Sequence, residues 1–154
     1  MNPELDLVIE HVIRAPRSIV WNAWTDPELF AKWWIPEPYT CRVEFFEAKA
    51  GGGFVTQMSE DGSNFGPHMD AAFLVVDHEE RLVFTNAVDS TLRPAQPMPV
   101  CVTGDVTLSD HSEGTLYRIV VRHGDAQARA THDELGLREG WTFVTEQLAK
   151  LVEG

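Results

Sequence analysis

Residues 137–151 read Leu137-Arg138-Glu139-Gly140-Trp141-Thr142-Phe143-Val144-Thr145-Glu146-Gln147-Leu148-Ala149-Lys150-Leu151. The apolar residues Leu137, Trp141, Val144, Leu148 and Leu151 recur in steps of four, three, four and three. That spacing puts them on one stripe of an amphipathic helix. Arg138, Glu139, Thr142, Glu146, Gln147 and Lys150 fill its other faces. The segment is too short and too polar to cross a bilayer, which takes about 20 mostly apolar residues. The Trp141 stripe must therefore lie on other parts of the chain, and those read mainly as strands. Gly136 and Gly140 stand one turn apart beside the stripe. A glycine inside a helix costs about 1 kcal/mol relative to alanine. Gly136 reads as a helix start. Gly140 lies a turn inside, where a bend or a close approach to the backbone would account for it.

A chain of 154 residues corresponds to one domain. A domain of this size buries roughly 70% of its unfolded surface, enough for a core with a cavity. The 24 acidic and 12 basic side chains give a net charge of −12. That balance argues against nucleic acid or an anionic membrane surface as a partner, since both call for a basic patch. Cys41 and Cys101 match no metal or redox spacing. Both sit in apolar, strand-like stretches and are expected to be buried thiols. The start, Met1-Asn2-Pro3-Glu4, has no basic region leading into an apolar run, and no membrane-length stretch occurs downstream. The expected location is the cytoplasm, without membrane insertion.

Leu5 to Arg14 alternates, with Leu5, Leu7, Ile9, His11 and Ile13 on one face of a first strand. Pro16 ends it. Ser18 to Thr25 reads as a short helix with Ile19, Val20, Trp21 and Trp24. Asp26-Pro27-Glu28 starts a second, with Asp26 as cap and Pro27 at the first helical position. That helix is expected to hold Leu29, Phe30, Trp33 and Trp34, up to Pro36 and Pro38. The period then changes to two. Cys41, Val43 and Phe45 alternate with Arg42 and Glu44. Further strands are expected over Phe54 to Met58, Pro67 to Val76, Arg81 to Val88, Val100 to Leu108 and Thr115 to His123. Asp89 to Pro99 carries three prolines and reads as the longest loop. Asp125 caps a helical turn from Ala126 to Glu134 ahead of the last helix. Consecutive strands with short turns make an antiparallel sheet, and helices at its ends make the class α+β.

Val20-Trp21-Asn22-Ala23-Trp24-Thr25-Asp26-Pro27-Glu28-Leu29, with Trp33-Trp34 shortly after it, resembles the signature of one family. This family is the homologues of the activator of heat-shock-protein ATPase, in the START-like (SRPBCC) superfamily. Ala15-Pro16, Gly51-Gly52, Glu80-Arg81-Leu82-Val83-Phe84-Thr85, Gly114-Thr115 and Gly136-Leu137-Arg138-Glu139-Gly140-Trp141 match it in the same order. The resemblance spans essentially the whole chain. It implies a helix-grip fold, a curved seven-stranded antiparallel sheet wrapped around the C-terminal helix. It also implies a cavity between them that takes apolar small molecules in some members.

Several residues are candidates for such a cavity. Ordinary core packing accounts for any one of the aromatic residues, but as a group they can form a wall. Trp33 and Trp34 are adjacent, so on one helix they cannot both face the same core. One of them is expected at a cavity rim or the surface. His11, on an apolar strand face, could take or give a proton near neutral pH. His68 and Asp70 are two apart on one strand and are expected to share a face. His123 and His132 flank the start of the last helix without the spacing of a one-element zinc site. No nucleophile elbow, phosphate loop or dinucleotide fingerprint is present, and no cofactor is implied.

These residues read together as a binding module for a small, mostly apolar molecule between the sheet and the last helix. Its wall or gate is expected to comprise His11, Trp34, Phe54, Phe73, Phe84, Met98 and Trp141, with Met98 closing the mouth from the proline-rich loop. Two alternatives remain open. One is a cyclase- or hydratase-like enzyme using His11 or His68. The other is a co-chaperone-type interaction module, and a weak homodimer is compatible with each.

Overall fold

The computed structural model describes residues 1–154. Strand β1 (Asp6–Ile13) leads into helices α1 (Arg17–Thr25) and α2 (Pro27–Phe30). Six more strands come next: β2 (Thr40–Glu47), β3 (Gly53–Ser59), β4 (Gly66–Asp77), β5 (Arg81–Thr85), β6 (Thr103–His111) and β7 (Gly114–Arg122). Helices α3 (Ala126–Glu134) and α4 (Leu137–Glu153) close the chain. The seven strands form one sheet in the order β1-β7-β6-β5-β4-β3-β2, antiparallel throughout. The α+β helix-grip architecture is thus the observed one. Each hairpin pairs with its neighbour in sequence, and only β1 returns to the far edge, beside β7.

Helix α4 lies along the inner face. Leu137, Val144, Thr145, Leu148 and Ala149 are its buried residues, with Trp141, Leu151 and Val152 half-buried against the core. The buried face is wider than the expected stripe, because Thr145 and Ala149 are small enough to turn inward beside it. No helix is long and apolar enough to cross a membrane.

The helical pair ends earlier than expected. Asp26 caps α2 by accepting from the Glu28 N–H at 2.9 Å, and Pro27 opens it, but the helix stops at Phe30. Trp33 and Trp34 lie beyond it in turn geometry, not on a helix. Of the two places expected for one of them, the surface is not reached, since Trp33 is 0% and Trp34 4% exposed, but Trp34 does border a cavity. Trp33 lies edge-on to Trp24 and donates its indole N–H to the Ala23 carbonyl at 2.8 Å. Trp34 stacks on Phe30, with ring centres 4.7 Å apart.

Three bulges change which side chains face inward. In β2 the register shifts between Val43 and Phe45. Phe46, not Phe45, then lies opposite Phe54 in the core, and Phe45 is exposed. In β4 one extra residue, His68, sits between partners of Gln57 and Thr56, and Leu74 is extra opposite β5. A bulge adds one residue to a two-residue period and so re-aims the side chains beyond it.

Strand β5 ends at Thr85 and β6 begins at Thr103, short of the expected Val88 and Val100. Asn86 takes over the pairing. Its Oδ1 accepts from the Val102 N–H at 2.8 Å, and its Nδ2 donates to the Val100 carbonyl at 3.1 Å. A side-chain amide that bonds backbone groups stands in for a strand ladder. The cysteines also differ from expectation. Cys101 is exposed on this irregular segment, and Cys41 is half-buried, its thiol pushed up to about 11 by burial.

Gly104 lies opposite Phe84 across β5 and β6. A Cβ there would meet the Phe84 ring itself, at Cε1 and Cζ. The ring is fully buried and cannot swing away. Gly104→Ala is expected to destabilise the fold by about 1–3 kcal/mol, the usual range for overpacking. Urea unfolding monitored by tryptophan fluorescence checks this, and an unchanged midpoint would contradict the packing described.

A candidate binding cleft beneath Trp141

Most of the space between sheet and helix is filled. Phe30, Phe54, Phe73, Phe84, Trp24 and Trp33 are buried essentially completely, with neighbouring ring centres about 5–6 Å apart. Aromatic pairs at such spacing attract beyond their burial alone. The Trp24 and Trp33 indole N–H groups inside this core are paired, Trp33 with the Ala23 carbonyl and Trp24 with the Tyr117 hydroxyl at 3.2 Å. The open sheet-to-helix cavity implied by the resemblance is therefore mostly occupied by side chains.

A cleft of about 210 Å³ remains at the N-terminal end of α4. Trp34 and Trp141 form its aromatic walls, with ring centres 5.7 Å apart. His68 and Met69 of β4 enter from the sheet, and His132 and Leu135 from the α3 end. Leu137, Gly140 and Val144 of α4 complete it. Gly136, at φ 85°, turns the chain from α3 into α4 in the left-handed region that glycine adopts freely. Nothing lies within 4 Å of where a Cβ on Gly140 would sit, so the missing side chain leaves that wall open.

The polar groups of the cleft are few. The His68 Nδ1 lies 3.0 Å from the Thr56 hydroxyl, and the ring stands edge-on to Trp34 at 6.3 Å. The bulge carries His68 to the inner face. Asp70 stays on the exposed side and accepts from the Ser90 N–H at 2.7 Å, so the two do not share a face as expected. Burial pushes His68 down to about 4. His132 is also lowered to about 4, by burial first and by the neighbouring His123 second. His132 Nδ1 and His123 Nε2 are 2.8 Å apart, and His123 Nδ1 is 2.7 Å from the Leu5 carbonyl. The Trp34 indole N–H is buried without a partner.

The sequence-derived residues fall into three places. Trp34 and Trp141 line the cleft itself. Phe84 and Phe54 stand directly behind it, with Phe84 5.6 Å from Trp34 and 6.3 Å from Trp141, and Phe54 5.5 Å from Trp34. Phe73 lies one layer deeper, against Phe54 and Phe46. His11 does not join them. It is on the edge strand β1, in a shallow polar hollow with Glu146, Lys150 and Glu153. Met98 is 86% exposed. It borders a separate open groove of about 420 Å³ along β3 and β4, with Glu44, Gln57, Asp70 and Asp89. That groove is larger than the cleft but mostly polar, and neither Trp34 nor Trp141 lines it. Sequence reasoning missed His132 as a cleft residue. His123 and His132 lie nine residues apart on different elements, and no local spacing could announce their contact.

The sequence profile of the Activator of Hsp90 ATPase homolog 1-like proteins matches residues 14–153. The chain belongs to this family. The tryptophan stretch on which the resemblance rests supplies Trp24, Trp33 and Trp34 to the core. Protein NE0264 from Nitrosomonas europaea is 35% identical, covers 99% of this chain and 97% of its own, and superposes with a TM-score of 0.87. Protein CV1439 from Chromobacterium violaceum is 25% identical over 97% of this chain and 99% of its own, with a TM-score of 0.73. The AHSA1-like protein from Aeromonas hydrophila, 23% identical over 97% and 92%, shares the fold with a TM-score of 0.66. No curated protein matches the chain.

The two lowered histidines make stability depend on pH. An unfolded histidine protonates near pH 6.5, whereas these stay neutral in the fold until about pH 4. Between those values the unfolded chain binds protons that the folded chain does not. Their contribution is therefore full above about pH 6.5 and is lost as pH falls toward 4. Each proton adds a slope of at most about 1.4 kcal/mol per pH unit. Half-buried His132 adds less than His68 because solvent screens it. Urea midpoints from pH 7 to 4.5 are expected to fall less steeply in His68→Gln than in the unaltered protein. Parallel curves would contradict the assignment.

Proposed function

We propose that the chain binds a small, mostly apolar molecule in the cleft that Trp34 and Trp141 border, and that it does so in the cytoplasm. The observation that carries this is an aromatic-walled opening beside a core that is otherwise filled. Binding sites of this kind combine apolar walls with a few polar groups that fix orientation. At about 210 Å³ the cleft is smaller than the roughly 300–1,000 Å³ of sites for drug-sized ligands, so its guest is about the size of one aromatic ring. The family is shared with proteins described as activator of Hsp90 ATPase homologs, but no docking patch for a protein partner is needed by this reading.

A second reading, a cyclase- or hydratase-like enzyme, has His68 in its favour, because that imidazole borders the cleft. An imidazole lowered to about 4 is a weak base at neutral pH, so it serves better as a hydrogen-bonding group than as a proton acceptor.

Toluene titrated into ¹⁵N-labelled protein is expected to shift the Trp34 and Trp141 indole signals saturably. Gly140→Leu would fill the open wall and abolish the shifts while α4 stays folded. Gly140→Ala keeps the cleft open and stabilises α4 by up to about 1 kcal/mol. Absence of saturable shifts, or unchanged binding in Gly140→Leu, would rule out the cleft as the site.

A further inference from the structure

The histidine pair at the cleft has only one neutral arrangement of protons. The Leu5 carbonyl can only accept, so the His123 Nδ1 at 2.7 Å carries a hydrogen and donates it. A neutral imidazole protonated at Nδ1 presents a lone pair at Nε2. The His123 Nε2 therefore accepts, and the His132 Nδ1 at 2.8 Å donates. His132 is then left with its own lone pair at Nε2, and that nitrogen has no partner within the chain. A backbone carbonyl on β1's approach thus dictates, through two rings, that a residue lining the cleft carries a free hydrogen-bond acceptor.

A second polar feature is its complement. Trp34 lines the same cleft, and its indole N–H is a buried donor without an acceptor. Leaving such a donor unpaired costs about 1–3 kcal/mol. A hydroxyl is the small uncharged group that donates once and accepts as well. The cleft lining has no Lys, Arg, Asp or Glu. A carboxylate guest would enter with no counter-charge, and burying an unpaired charge is strongly unfavourable. The aromatic surface that Trp34 and Trp141 present to the cleft favours an aromatic guest over an aliphatic chain.

We propose that the guest class is an uncharged hydroxyarene, a phenol, held by its O–H on Nε2 of His132. This rests on the cleft being the binding site and adds the polar half of its specificity. His123 is a positioning residue here, acting only through the tautomer of His132. Burial, which keeps His132 neutral well below physiological pH, keeps the acceptor available.

The test compares phenol, toluene and benzoate against the same labelled protein. Phenol is expected to bind about five-fold more tightly than toluene, the worth of one net hydrogen bond. Benzoate is expected to bind weakest. In His123→Leu the phenol-to-toluene ratio is expected to fall toward one while toluene affinity stays unchanged. The ¹⁵N imidazole spectrum of the unaltered protein, which requires no substitution, is expected to show His132 protonated at Nδ1. Equal binding of phenol and toluene, or His132 protonated at Nε2, would overturn this inference and leave the cleft reading standing. If no arene binds, both fall together.

Discussion

The stack of Trp34 on Phe30, 4.7 Å between ring centres, is the contact on which the rest of the architecture depends. It exists because α2 stops after four residues, one turn before its tryptophans. Two consecutive indoles can then both turn inward. Trp33 goes toward Trp24 and Phe30 in the deep core, and Trp34 toward Phe84 and Trp141. Trp34 thereby belongs to two environments at once. One face closes the packed interior, and the ring also forms a wall of the space left open beneath α4. The short helix, the sheet and the closing helix meet at this one side chain.

The periodicity of the strands was readable to within a few residues for most of the sheet. So was the amphipathic register of α4, whose buried Leu137, Val144 and Leu148 are three of the five stripe residues. The misread positions have a common physical origin. Phe45 and Phe46 exchange roles, and His68 leaves the face of Asp70, because one inserted residue inverts a period of two. Nothing in the composition of those segments marks the insertion. The shortness of β5 was equally hidden, since an asparagine bonding across to Val100 and Val102 cannot be told from an ordinary loop residue.

The aromatic part of the candidate site was legible from residue type, because large flat side chains on core-facing elements have few places to go. Its polar part was not. His11 has the right strand parity, but its strand is the sheet's edge, and it borders shallow hollows on the polar flank of α4, with Arg138, Glu146 and Lys150, in place of the cleft. Met98 sits in the loop singled out for its length and prolines, yet that loop borders the polar groove along β3 and β4 and not the space beneath Trp141. His132 belongs to the cleft by virtue of a glycine turn and a helix that buries none of its own residues. Which residues converge was settled by topology, and a linear pattern does not encode the distance between β7 and α3.

Asn86 has a consequence beyond the two peptide groups it binds. The segment from Ala87 to Pro99 is closed at its base by that one side chain, while further out an isolated bridge joins Val88 to Pro94 and the Ser90 N–H donates to Asp70 of β4. The strands on either side keep their alignment whatever the length of chain beyond the clasp. Added residues there cost little, because closure entropy grows only slowly with loop length. Natural variation and engineered insertions can therefore accumulate at this point while β5 and β6 remain in step.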